Sequence, residues 1–68
     1  MQPQEQAKII VQRFLYLIEN ENFEFKSFSI NLIKAKNCGI FLAEQAQKTA
    51  DIRGFNFWAD VIEEIQSL

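Results

Sequence analysis

Residues 28–50, FSINLIKAKNCGIFLAEQAQKTA, decide how many helices this chain has. Asn37-Cys38-Gly39 reads as a helix stop, because glycine is favoured just past a helix end. A helix restarting after such a stop should open on Ser, Thr, Asp or Asn. Ile40, Phe41, Leu42 and Ala43 follow instead, and none of them caps. Phase gives a second test. Taken as one helix, the segment lines up Phe28, Leu32, Ala35, Gly39, Leu42, Ala46 and Ala50 at spacings of three and four, the repeat of a single helical stripe. A break would scramble that register. The spacing therefore predicts one helix over 28–50, with a kink or a break at Gly39 left open. Glycine inside a helix costs about 1 kcal/mol against alanine, so its place on the inward stripe implies a close crossing of backbones. The same helix has a second apolar face, with Ile30, Ile33, Ile40 and Phe41 around Asn37. A helix apolar on two sides is expected to be covered on two sides.

The flanking segments are simpler. Pro3 suits the first turn of a helix, where its missing N–H costs nothing. From about residue 4 to 20, Ala7, Ile10, Val11, Phe14, Leu15, Leu17 and Ile18 fall in one arc, and Glu5, Lys8, Gln12, Arg13 and Glu19 fall opposite. Ile9 and Tyr16 interrupt the polar side seven residues apart, so they stack as a short second strip. Phe23 and Phe25 alternate with charged residues like a strand, but the chain offers no partner strand. They read as an extended connection plugging the end of the core, with Ser27 as the next N-cap. A short turn at Ala50-Asp51 predicts an antiparallel helical hairpin. Asp51 caps a last helix over about 52–67, its charge matched to the positive end of the helix dipole. There Ile52, Phe55, Phe57, Trp58, Ala59, Val61, Ile62, Ile65 and Leu68 oppose Arg53, Asn56, Asp60, Glu63, Glu64 and Ser67. Gly54 lies in the apolar arc. It is expected to let this helix approach the alanine-lined end of the previous one at Ala43, Ala46 and Ala50, with Trp58 filling the wider gap one turn on. The fold class that results is all-α, a three-helix bundle of about 4–20, 28–50 and 52–67.

The stretch FLAEQAQKTADIRGFNFWADVIEEIQSL, residues 41–68, resembles a set of short bacterial all-helical proteins of unassigned role. The resemblance is carried by Ala43, Ala46, Asp51, Gly54, Trp58, Ile62 and Ile65, an Ala-rich helix followed by an Asp-x-x-Gly turn and a Trp-containing last helix. Ala50 stands where that set has Gly. The resemblance implies a small all-helical fold and brings no activity with it.

Composition narrows the function. A chain of 68 residues makes one domain, residues 1–68, and buries only about 60% of its unfolded surface. Small domains usually add a disulfide, a metal or a partner chain. With one cysteine, Cys38, and no histidine, neither an internal disulfide nor a zinc site is expected. A composition 49% hydrophobic with seven Phe is rich for so small a body and favours an interface shared between chains.

General acid–base work usually needs His or a buried carboxylate pair. Glu63 and Glu64 point away from the apolar arc, Asp60 and Glu64 are too few oxygens for a divalent ion, and Cys38 lacks an activating partner and reads as a small apolar residue. Gly39 and Gly54 make no phosphate loop. No enzyme, cofactor or metal is expected. With a net charge of −2, a pI near 4.9 and acidic residues on the outer face of the last helix, nucleic acid is a poor partner. That makes a helix-turn-helix DNA binder the weakest reading. No apolar run approaches the ~18 residues of a membrane span, and MQPQEQAK has no signal-peptide pattern, so a cytoplasmic location is expected. What remains is a non-catalytic protein-interaction module. The first reading is a homodimer built on Ile30, Ile33, Asn37, Ile40 and Phe41, joined by Ile9 and Tyr16. The alternative is a monomeric adaptor or inhibitor docking a larger protein, such as a phage or mobile-element factor.

Overall fold

The computed structural model describes residues 2–21 and 28–68. Three helices, α1 (Pro3–Glu21), α2 (Phe28–Lys48) and α3 (Ile52–Ser67), follow one another, and each packs against the other two. The protein is an all-α three-helix bundle. Phe23, Phe25 and Ser27, read above as a core plug and a cap, lie outside the described residues.

Local chemistry sets the ends. Pro3 is the first residue of α1, and the Gln2 carbonyl takes the first bond, from the Gln6 N–H at 3.1 Å. α2 stops at Lys48, two residues earlier than the stripe suggested. Its last turn tightens through i to i+3 bonds, with the Thr49 and Ala50 N–H groups donating to the Ala46 and Gln47 carbonyls at 3.3 Å. Such bonds satisfy carbonyls that the helix end leaves over. Asp51 then turns the chain in extended backbone, and its Oδ1 accepts from the Gly54 N–H at 2.8 Å. This is the expected N-cap.

Gly39 does not break α2, which runs on through it. It is buried where the three helices meet. A Cβ placed there would lie 2.9 Å from Ile10 Cγ2, 3.4 Å from Ile65 Cδ1 and 3.8 Å from Val11 Cγ2. The mid-helix glycine is thus the close-approach residue between helices. Gly54 does something more local. A Cβ on it would meet the Ala50 methyl at 2.7 Å and Asp51 Oδ1 at 3.4 Å. Of the three alanines expected to face it, Ala50 does and Ala43 and Ala46 do not, so its close approach is to the end of α2 and the capping turn rather than along the helix. Trp58 is half-buried against the core, edge-on to the Phe57 ring at 5.3 Å.

The contacts fix the register. Gly39 is level with Ile10 and Val11 on α1 and with Ile65 on α3. Lys36 Nζ donates to the Gln66 carbonyl at 3.2 Å, and Gln47 Nε2 to the Phe55 carbonyl at 3.3 Å, as antiparallel α2 and α3 require. From the Gly39 level, α3 reaches back thirteen residues to Ile52, but α1 reaches back only seven or eight to Pro3. At 1.5 Å per residue, α3 overshoots α1 by about 8 Å. The stagger shows in the 42 Å length of the body, since the longest helix spans only about 32 Å. It also explains why Ile52 (80% exposed) and Phe55 lie in solvent although both fall in the apolar arc of α3.

The buried set is Ala7, Ile10, Val11, Ala35, Ala43, Val61 and Ile65, with one polar member, Asn31. Three alanines keep the axes close. Gly39→Ala tests that closeness. Alanine favours helix by about 1 kcal/mol, but Ile10 Cγ2 sits on a β-branched carbon with one preferred rotamer and cannot swing aside. Overpacking costs about 1–3 kcal/mol, so we expect a net loss of about 1 kcal/mol in urea unfolding. Unchanged or higher stability would mean that the crossing has slack.

Candidate functional site

The seven candidate interface residues do not form one patch. Ile40 leaves the set: it is half-buried and packs against the core, because it sits on the flank of α2 that α3 covers. Ile30 and Ile33 (59% exposed) stand on the outer face of α2. Ile9, Tyr16, Asn37 and Phe41 gather elsewhere, along the open groove between α1 and α2 on the side away from α3.

That groove has two stretches. One is lined by Ile9, Arg13, Tyr16 and Leu17 of α1 with Leu42 of α2. The other is lined by Asn37, Cys38, Phe41 and Gln45 of α2. Phe14 and Leu42 belong to both and make the floor continuous. Tyr16 is 63% exposed and Phe41 64% exposed, and Ile9, Leu17 and Leu42 are also exposed.

Leu17 and Leu42 are the groove residues that sequence reasoning assigned to the core. Each lies at the edge of an apolar arc, where burial depends on how far the neighbouring helix reaches. Cys38 was read as a small apolar residue; it is exposed on the groove wall. Of the helix-crossing candidates, Ala43 is fully buried, and Ala46 and Ala50 are half-buried.

The groove is poor in chemistry. Arg13 is its charged member, and the polar groups around it are amides, a thiol and a phenol. Among the described residues no three His, Cys, Asp or Glu side chains gather as a metal site, and no helix is long and apolar enough to cross a membrane. Charge is divided by helix. α2 carries Lys34, Lys36 and Lys48 against Glu44, while the end of α3 carries Asp60, Glu63 and Glu64. No family model, curated protein or solved structure matches the chain.

Among the described residues the one buried polar side chain is Asn31, which was not visible in the sequence pattern. It is 5% exposed, and its Oδ1 has no hydrogen-bond partner among the described residues. An unsatisfied buried acceptor costs about 1–3 kcal/mol. Asn31→Leu removes it at similar volume and should raise stability by about 1 kcal/mol, or about 4–8 °C in Tm for a domain this size. A fall of that size would show that the oxygen is satisfied in solution.

Proposed function

We propose that this chain is a non-catalytic protein-interaction module that pairs with a second copy of itself through the apolar face of α1 and α2. The observation that carries the reading is the exposed run Ile9, Tyr16, Leu17, Phe41 and Leu42 on a continuous Phe14 floor. All five are exposed, Tyr16 and Phe41 the most.

Lack of buried volume points the same way, since three of the seven buried apolar residues are alanines and a core this slim supplies little hydrophobic stabilisation. Twofold pairing is the commonest way for one surface to cover itself. The acidic end of α3 would repel phosphate, which argues against nucleic acid.

Light scattering at two concentrations tests the reading. We expect the mass of two chains. Phe41→Asp should return the mass of one chain with helicity retained. Aromatic anchors in an interface are worth about 2 kcal/mol or more, which is about a 30-fold rise in Kd. A mass of one chain at every concentration for the unsubstituted protein overturns self-association and leaves docking to a larger, different protein as the role of this face.

A further inference from the structure

The two rims of the groove carry opposite charge. Gln12 lines the groove on the α1 side, and Glu5 and Glu19 stand seven residues before and after it. Seven residues are close to two helical turns, so the three share one row along the outer edge of α1. Phe41 lines the groove on the α2 side, and Lys34 and Lys48 stand seven residues before and after it. They form the matching row along the outer edge of α2. All six side chains are exposed. The remaining described charges of these helices lie off the rims. Lys8 stands in the row of Leu15, which packs against the core. Lys36 donates to Gln66, and Glu44 lies between Ile40 and Gln47 on the flank that α3 covers. One rim is therefore acidic and the other basic, with Arg13 between them.

We infer that the occupant of the groove is a second copy of this chain, related by a twofold axis that runs along the groove. This rests on the self-association proposed above and gives it a geometry. A rotation about the direction of the groove keeps every level and exchanges the rims. The acidic edge of α1 then lies along the basic edge of the partner's α2, and the contact is repeated once by symmetry. A face with one acidic and one basic rim is complementary to itself under this rotation. Levels follow from Gly39, which stands between Ile10 and Val11 in height. Glu5 falls about 5 Å along the helix from the partner's Lys48, and Glu19 about 5 Å from the partner's Lys34. Lysine stems span such offsets. Between the rims, Ile9 is level with the partner's Phe41, and Arg13 with the partner's Asn37, an amide that can accept from it. α1 runs antiparallel to the partner's α2, so the four facing helices alternate in direction as in an up-down bundle.

The other face-to-face rotation has its axis across the groove. It lays α1 on the partner's α1 and α2 on the partner's α2. Centred on the apolar run, midway between Ile9 and Tyr16, it sets Glu5 within one residue of the level of the partner's Glu19. It also sets Arg13 beside the partner's Arg13. Like charges brought together across an interface oppose association. Both rotations cover the same apolar side chains, so charge chooses the axis.

Charge reversal reads that choice. Glu5→Lys with Glu19→Lys reverses one rim, and Lys34→Glu with Lys48→Glu reverses the other. Each double variant is checked for parental circular dichroism. Kd for self-association is measured by sedimentation at low salt, where rim charges are least screened. With the axis along the groove, each double variant sets like charges along both rims of its own pair, and we expect Kd to rise by about tenfold or more. An equimolar mixture of the two variants is complementary at both rims and should pair with a Kd near that of the unsubstituted chain. If either double variant loses helical signal, Glu19→Lys and Lys34→Glu alone replace the two, with the same directions expected. An unchanged or lower Kd for the Glu5→Lys, Glu19→Lys chain overturns the axis and leaves self-association standing, since an axis across the groove already sets like charges together there. A mixture that pairs no better than its components also overturns it. A single-chain mass for the unsubstituted protein, measured in the same runs, removes self-association and the axis together.

Discussion

The structure depends on one missing methyl. At Gly39 the backbone of α2 comes within van der Waals reach of Ile10, Val11 and Ile65 at once, so a single residue sets the height of both neighbouring helices on the central one. A glycine in mid-helix gives up about 1 kcal/mol of helix propensity. The close crossing returns dispersion contacts from two isoleucines and a valine, each small but numerous at interior density. Because α1 and α3 are both placed by this level, their overhangs are also decided there. α3 runs past the start of α1 at one end of the body. α1 and α2 run past the end of α3 at the other.

Much of this was legible in the sequence, and the failures have a common physical cause. The unbroken α2 followed from the phase of its stripe and the missing caps after Gly39. The start of α3 followed from Asp51, whose side chain can satisfy an orphan N–H only at that position. Periodicity reports the angle at which a side chain leaves its helix. It does not report how far the neighbouring helix extends. Leu17, Leu42, Ile52 and Phe55 all leave their helices at acceptable core angles and are all exposed, because the helix that would cover them is offset or turned away. Ile40 fails in the opposite sense: its angle looked external, and α3 covers it. Asn31 fails for a different reason, since a polar residue enters a core through tertiary context, which no local pattern encodes.

The two glycines show how one residue type serves two purposes that the sequence alone could not tell apart. Both interrupt apolar arcs, and both were expected near helix crossings. Gly39 has its nearest neighbours on other helices. Gly54 has them in its own turn, at Ala50 and Asp51, where its N–H meets the capping carboxylate. Of the alanines expected opposite Gly54, Ala50 meets it, while Ala43 serves the bundle, fully buried alongside Ala7 and Ala35.

A core built on alanine and glycine brings helices together but removes little apolar surface from water per residue. Stabilisation follows buried apolar area, at about 25 cal/mol per Å², so close packing of small side chains leaves the larger ones to find cover elsewhere. In this chain the centre mixes Ala7, Ala35 and Ala43 with Ile10, Val11, Val61 and Ile65, while Tyr16, Leu17, Phe41 and Leu42 stand outside it. At the Gly39 crossing the glycine makes room for Ile10, Val11 and Ile65, whose side chains fill the space where the axes meet. The crossing thus sets the height of its neighbours, and which apolar residues stay exposed follows from where each helix reaches.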